Sequence, residues 1–221
     1  MQLILDLLYP ARCSACDAAC AKGASFCTVC SRALEPIVRA CGCCGLPTTG
    51  PKCIVCLVHA PPFVRASSAF AFGGPLADAI RRFKWGRLPS LAKQLGPLLS
   101  DRSSDDARLV IPVPLHSKRL RQREFNQSAL LARAAKLSGQ LELDALVRVR
   151  DTPPQAELNG RQRRDNVRGA FRARGDRVSG RRVLLVDDVL TTGATAEACT
   201  RALLDAGASE VVVLTLARAM P

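Results

Sequence analysis

Residues 183–196 read VLLVDDVLTTGATA. This stretch has an apolar run typical of a buried strand, then two aspartates, then a short polar turn with one glycine before a helical pattern. In an open α/β sheet, ligands bind beyond the carboxyl ends of the strands. Backbone N–H groups and hydroxyls at a helix N-terminus bind a phosphate dianion. The residues expected to bind phosphate are Thr191, Thr192, Gly193, Ala194 and Thr195.

The two carboxylates of this stretch, Asp187 and Asp188, suit the hydroxyls of a sugar. Ionised carboxylates only accept hydrogen bonds, so a vicinal diol can donate to both while Mg²⁺ offsets their charge. A P-loop nucleotidase also has a strand ending in Asp, but the chain contains no GxxxxGK[ST] run. The remaining alternative is an ordinary turn that carries two surface aspartates.

The chain from about residue 63 has the pattern of βα units on a parallel sheet. Buried parallel strands are predicted at 109–113, 146–149, 183–186 and 211–216. Helices are predicted at 76–84, 88–100, 125–138 and 195–206, the last of them ending at Gly207. We therefore predict an α/β fold with helices flanking the sheet. Residues 151–170 contain two prolines and little apolar periodicity, and loops of this length are usually functional or disordered.

Ten of the eleven cysteines lie between Cys13 and Cys56, in a loop-rich segment that cannot bury a core by itself. Eight of them form four CxxC pairs, enough for two closed Cys₄ zinc sites of structural type. One filled site, or disulfides, are the alternatives. Sequential pairing needs less crossing of the chain than interleaved pairing. The predicted ligands are Cys13, Cys16, Cys27 and Cys30 in one set and Cys41, Cys44, Cys53 and Cys56 in the other.

Composition limits the compartment and the partners. Residues 1–9 lack the basic start and the cleavage site of a secretory signal, and no run is long enough for a membrane span, so we expect a reduced cytoplasmic protein. Of the net charge of +13, all but +2 falls after residue 60, which favours an anionic partner such as nucleic acid or a phosphorylated metabolite. Aromatic residues make up only 4%, which argues against a dedicated single-strand-binding module.

The stretch VLLVDDVLTTGAT resembles the fingerprint with which type I phosphoribosyltransferases bind 5-phosphoribosyl-1-pyrophosphate (PRPP). PVPLHSKRLRQREFNQSALLA at 112–132, NVRGAF at 166–171 and the CxxC-rich front resemble the ComF family of competence proteins. The resemblance spans nearly the whole chain. It implies a double zinc-ribbon domain at 1–60, with one or two zinc ions, and a phosphoribosyltransferase-like domain at 61–221.

The resemblance also implies roles for particular residues. Asp187 and Asp188 would meet the ribose hydroxyls, the loop 191–195 would hold the 5′-phosphate, and pyrophosphate would lie near 112–114. Many relatives have glycine at the position of Glu124. The residues that match the family's cleft are Arg121, Arg123, Asn126 and Gln127, and those in the place of its catalytic lid are Gln155, Arg161, Arg164 and Asn166.

Chemistry alone also predicts a role for the arginines of these segments. Arg123 and Arg164 are predicted to act with the two aspartates in catalysis, because a leaving pyrophosphate needs fixed positive charge. The alternative is a solvated basic face. Lys84 and Trp85 are candidates to lie over the same cleft, although an aromatic residue beside a helix end is more often a packing residue.

Three functions remain open. The resemblance implies a PRPP-binding protein of natural transformation that handles incoming single-stranded DNA on the cytoplasmic side. A nucleobase or amine phosphoribosyltransferase that uses PRPP with Mg²⁺ is the enzymatic alternative. The third is a zinc-stapled scaffold for a recombination or DNA-uptake protein.

Overall fold

A five-stranded parallel sheet forms the centre of the computed structural model, which describes residues 10–100, 109–152 and 160–220. Along the sheet the strands lie in the order β1-β7-β6-β2-β3. Two further strands, β4 and β5, pair antiparallel with each other. The strands are β1 (Arg65–Ala71), β2 (Leu109–Pro112), β3 (Gln140–Leu141), β4 (Leu146–Arg148), β5 (Phe171–Ala173), β6 (Arg182–Leu190) and β7 (Glu210–Arg218).

Helices cover both faces of this sheet, so the predicted α/β class with a flanked parallel sheet is confirmed. A 3-10 turn at Pro89–Leu91 precedes α4. The helices of the described residues are α1 (Thr28–Arg32), α2 (Ile54–Val58), α3 (Gly74–Trp85), α4 (Ala92–Leu95), α5 (Pro97–Ser100), α6 (Ser117–Arg123), α7 (Gln127–Ala135), α8 (Gly160–Val167), α9 (Gly175–Val178) and α10 (Ala194–Asp205). None of the helices in the described ranges is long and apolar enough to cross a membrane.

Strand β6 lies between β7 and β2 and is buried on both faces. Successive side chains of a strand point to opposite faces. Leu184 and Val186 accordingly pack in the apolar cluster that holds α3 and α7, and Val183 and Leu185 pack in the cluster that holds α10. The continuous apolar run that predicted a buried strand therefore contributes to two cores.

Three predicted elements differ in the structure. The 146–149 run does not join the parallel sheet. As β4 it pairs antiparallel with β5, because a short strand with only two consecutive apolar residues does not specify its partner. Strand β6 continues four residues past Val186, so both aspartates lie within the strand and not after it. The helix predicted at 88–100 is divided into a 3-10 turn and two short helices on either side of Gly96.

The front segment pairs with β1, the edge strand of the sheet, and also packs into the core on one face. Ile37 N–H donates to Ala69 O (3.2 Å), Ala71 N–H to Glu35 O (2.8 Å) and Ala66 N–H to Cys43 O (2.8 Å). The apolar cluster around α3 also contains four buried residues of the front segment, Cys13, Ala15, Phe26 and Cys30. Residues on both sides of position 60 thus share one core, and the division at 60 stays a prediction.

Gly96 marks the closest approach of two helical segments and supports a stability test. A Cβ built on Gly96 would lie 2.5 Å from Ala134 Cβ and 2.8 Å from the backbone of Ala134 and Ala135. Gly96 has right-handed helical backbone angles, where alanine normally stabilises, but here overpacking dominates. We expect Gly96→Ala to lower the free energy of unfolding by about 1–3 kcal/mol in urea titrations.

Gly50→Ala is the control, because its added Cβ meets nothing closer than 3.7 Å. This variant should stay within about 0.5 kcal/mol of the wild type. A Gly96→Ala protein as stable as the wild type would contradict the close approach of α4 and α7.

Candidate functional site

Each carboxylate of the acidic pair of β6 has a polar side chain from a neighbouring helix as its partner. Asp188 Oδ1 accepts a hydrogen bond from Lys84 Nζ at 2.7 Å, and the two side chains are only 9% and 20% exposed. Asp187 Oδ1 accepts from Ser128 Oγ and from the backbone N–H of Asp188, both at 2.9 Å. Helices α3 and α7 therefore each bring one polar group to the same end of β6.

Asp187 has an unusual acidity. Burial, followed by the neighbouring charge of Asp188, raises the pKa of Asp187 to about 7, and the Lys84 ammonium, the Asp188 N–H and the Ser128 hydroxyl offset part of this rise. A buried carboxyl of this kind is poised to change its charge when a cation binds nearby.

The loop after β6 leads directly into α10. Thr191 and Thr192 are exposed, whereas Ala194 is buried at the first turn of the helix. Gly193 has φ +85°, a left-handed conformation that glycine adopts without strain, and the Ala194 N–H donates to Thr192 Oγ1 at 3.4 Å. The structure thus places the predicted phosphate-binding residues at the N-terminus of a three-turn helix. Their role in binding stays a prediction.

Helix α6 brings positive charge to this end of the sheet. Arg123 Cζ lies 4.4 Å from the centre of the Trp85 ring, a cation–π contact. Burial lowers the pKa of Arg123, while the carboxylate of Asp188 raises it. No residue of this helix is buried, and its first turn has no acidic residue. Its four basic residues are Lys118, Arg119, Arg121 and Arg123.

The FNQ segment has a structural role in the described chain. Asn126 caps α7 by accepting from the Ala129 N–H (3.2 Å), and its side-chain amide donates to Val113 O (3.0 Å). Gln127 is buried, and its Nε2 lacks a hydrogen-bond partner among the described residues. Glu124 ends α6 in the left-handed conformation with φ +69°, which explains why glycine suits this position.

Part of the predicted lid lies outside the described residues. Gln155 falls in the range 153–159, and the side chains of Arg161 and Arg164 are likewise outside the description. The described part of the 151–170 segment forms α8, which contains Asn166 and packs Val167 into the core. Neither this helix nor α6 was predicted, because basic sequences without an apolar stripe have no helical periodicity to detect.

A cavity of about 800 Å³ lies between the loop after β6 and the second cysteine set. Apolar side chains form much of its wall, and Trp85, which is 69% exposed, stands at it with Lys84 and Arg123. The far wall is formed by Cys44, Cys53 and Cys56. From the sequence, only the FKW segment pointed to this cleft, because a cavity between segments far apart in the chain has no local pattern.

The cysteines meet in the two sequential sets that were preferred from the sequence. The four sulfurs of Cys13, Cys16, Cys27 and Cys30 lie within 4.8 Å of one another, and so do those of Cys41, Cys44, Cys53 and Cys56. The Cys16–Cys30, Cys16–Cys27 and Cys44–Cys53 sulfur distances are 3.7, 3.8 and 3.6 Å. Four sulfurs about 2.3 Å from one tetrahedral zinc ion are about 3.8 Å apart, so each set fits zinc.

One thiol of each set has a lowered pKa. Burial alone would raise the pKa of Cys13, but backbone N–H groups, led by that of Cys16, outweigh it and lower the pKa to about 6. The pKa of Cys41 is lowered to about 6 against burial in the same way, with the backbone of Cys44 as the leading donor. Thiolates are the form that binds metal. Cys199, which lies outside the cysteine-rich segment, is packed in the core with α10.

Comparison with known proteins agrees with this architecture. Residues 129–220 match the phosphoribosyl transferase domain family. DNA utilization protein YhgH of Escherichia coli O157:H7 is 36% identical over 227 residues, covering 97% of this chain and 100% of that protein. Competence protein F of Haemophilus influenzae is 32% identical over 210 residues, covering 88% and 90%.

The fold and the domain match together define an α/β protein of the phosphoribosyltransferase type. More narrowly, the chain belongs to the family of DNA utilization protein YhgH and competence protein F, the ComF family that its sequence resembles.

Metal content tests the two cysteine sets. Reduced protein purified without chelator should contain about two zinc ions per chain by atomic absorption. Because Cys13 and Cys30 belong to the same apolar cluster as Phe83 and Leu95, removing the metal should destabilise the whole chain. We expect the melting temperature to fall by on the order of 10 °C.

Cys20→Ser and Cys43→Ser serve as controls, since both residues lie outside the two sets. These variants should keep two zinc ions. Metal-free wild type with an unchanged unfolding curve would refute a structural role for zinc.

Proposed function

We propose that this protein binds PRPP with Mg²⁺ at the end of β6 and that it acts on incoming single-stranded DNA in the cytoplasm during natural transformation. The observation that carries the first part is the juxtaposition of the acidic pair of β6, the N-terminus of α10 and the cations Lys84 and Arg123. Sugar hydroxyls, phosphate and pyrophosphate each find the chemistry they need there.

Different residues bind different parts of PRPP. The N–H groups and hydroxyls of the loop 191–195 hold the 5′-phosphate at the helix N-terminus. Asp187 and Asp188 take the ribose hydroxyls, and Mg²⁺ offsets the charge that gathers between carboxylates and pyrophosphate. Arg123, with Arg164 of α8, supplies positive charge for the pyrophosphate.

Lys84 occupies one of the positions that we propose for the ligand. Its ammonium holds the Asp188 carboxylate at 2.7 Å, where a ribose hydroxyl or Mg²⁺ is expected. When the ligand binds, Lys84 must move from Asp188, and a flexible four-carbon stem allows this. The displaced ammonium then adds to the positive charge that Arg123 offers to the pyrophosphate.

The DNA role rests on family and charge. Two relatives have names that refer to DNA utilization and to competence. Basic residues of α6 lie on the surface at the same end of the sheet as the acidic pair, and a strand that follows them would release counterions. A DNA strand and PRPP would then meet at one edge of the sheet.

Phosphoribosyl transfer to an acceptor is the second candidate. The cavity beside the loop favours it, because a volume of about 800 Å³ with apolar walls accommodates a small planar acceptor. Release of pyrophosphate from PRPP on addition of a nucleobase or amine would support this enzyme. A scaffold for a recombination or uptake protein is the third candidate, and absence of DNA binding would favour it.

The acidity of Asp187 makes PRPP binding depend on pH. Because the pKa of Asp187 is raised to about 7, its carboxyl gains charge as pH rises through neutrality. If the carboxylate is the binding form, PRPP with Mg²⁺ should bind about ten-fold more tightly at pH 8 than at pH 6. Isothermal titration at both values measures the change.

Asp187→Asn should bind weakly and retain only the pH dependence of the PRPP phosphates themselves. Asp144→Asn removes an exposed carboxyl elsewhere and should behave as the wild type. Wild type without binding heat at either pH would sink the PRPP proposal, and a variant with the wild-type profile would remove Asp187 from the site.

Salt dependence tests the DNA role. The logarithm of the affinity for a single-stranded oligonucleotide should fall linearly with the logarithm of salt concentration. Lys118→Gln with Arg121→Gln should reduce the magnitude of that slope by up to about 1.4, since each phosphate contact with a single strand contributes about 0.7. Fluorescence anisotropy at several salt concentrations gives the slope.

Lys93→Gln with Arg133→Gln is the matched control, because it removes the same charge from exposed positions on α4 and α7. Its slope should stay at the wild-type value. No binding at low salt, or binding indifferent to salt, would exclude DNA as the partner.

A further inference from the structure

Arg218, the last residue of β7, has an unusual environment. It is only 7% exposed, yet its contacts among the described residues are with backbone carbonyls. Nη1 donates to Leu190 O at 2.9 Å, to Ala219 O at 3.1 Å and to Thr191 O, and Nε donates to Cys44 O at 3.2 Å. The ion pairs of the described chain do not include this residue.

A buried guanidinium without a carboxylate leaves a positive charge uncompensated, which is costly unless the charge serves a purpose. The carbonyls that Arg218 holds belong to the last residue of β6 and the first residue of the loop 191–195. The charge therefore lies directly behind the loop for which we propose phosphate binding. An anion bound there would supply the missing compensation.

The fourth carbonyl links this arrangement to the second cysteine set. Cys44 O accepts from Arg218 Nε, and the Cys44 sulfur lies 3.6 Å from that of Cys53. A metal that fixes these sulfurs also fixes the Cys44 backbone. The first set has different contacts: Cys13 O accepts from Arg82, and Ser14 Oγ donates to Gln94 Oε1, both away from the loop.

We propose that Arg218 is a positioning residue of the phosphate loop and that it makes the loop depend on the metal-bearing turn at Cys44. One rigid guanidinium fork joins that turn to the loop carbonyls at positions 190 and 191. Loss of metal from the second set releases Cys44, loosens Arg218 and disorders the loop. The consequence for PRPP rests on the proposed function, whereas the coupling of the turn to the loop does not.

Matched variants separate the two cysteine sets. Cys53 and Cys27 occupy equivalent positions, each at the N-cap of a short helix in its own set. In zinc-loaded full-length protein, Cys53→Ser should weaken PRPP·Mg²⁺ binding by about ten-fold or more, as should Arg218→Met, and Cys27→Ser should change it little. In the double variant Arg218→Met/Cys53→Ser the two losses should overlap and not add, since both act through one contact.

Amide hydrogen exchange provides a readout that needs no ligand. Exchange in a peptide covering 189–195 should rise in Cys53→Ser and Arg218→Met but not in Cys27→Ser. Arg218→Lys should give an intermediate result, because an ammonium keeps the charge but cannot reach all four carbonyls in the fork geometry. If Arg218→Met does not fold, Arg218→Lys and the two cysteine variants carry the test.

The outcomes distinguish the two ideas. Wild type that does not bind PRPP would end the proposed ligand, and the exchange data would still decide the coupling. Equal exchange of the loop peptide in Cys53→Ser and Cys27→Ser, or in Arg218→Lys and the wild type, would overturn the coupling. PRPP affinity unchanged in Arg218→Lys and Cys53→Ser would overturn the positioning role.

Discussion

Burial of β6 on both faces is the constraint on which the rest of the structure depends. Strands β2 and β7 enclose its edges and helices cover its faces, so a polar side chain within it must find a partner in the protein. Asp188 finds Lys84, and Asp187 finds Ser128. The same burial that makes the strand a core element thus raises the pKa of Asp187 and fixes the ammonium of Lys84.

This arrangement gives the site its electrostatic character before any ligand is present. The ion pair between Lys84 and Asp188 compensates the buried carboxylate, so the protein avoids an unpaired buried charge. Arg123 interacts electrostatically with the same carboxylate, and its guanidinium group stacks on the Trp85 ring.

The sequence predicted the elements whose pattern is local. The apolar runs predicted β6 and β7, and Gly207, which has a φ of +95°, predicted the end of α10. The CxxC spacing predicted the eight ligands, and the smaller chain crossing of sequential pairing favoured the two sets that the structure has. Strand β1, RASSAFA, was not predicted, because its serines and small residues weaken the strand pattern. In the structure the buried Ser68 hydroxyl hydrogen-bonds to the Thr215 hydroxyl of β7. The Lys84–Asp188 and Arg218–Cys44 contacts could not be predicted, since each joins residues more than a hundred positions apart.

The front segment shares a core with the sheet and forms one wall of the cavity. A loop-rich segment of this length cannot form its own core. Here Cys13 and Cys30 pack in the cluster around α3, and the backbone of β1, at Ala66 and Ala71, hydrogen-bonds to the backbone of the front segment. Cys44, Cys53 and Cys56 then face the cavity beside the loop 191–195. A metal bound by these cysteines would therefore also shape this cavity, so the zinc site and the ligand site that we propose would share one set of backbone contacts.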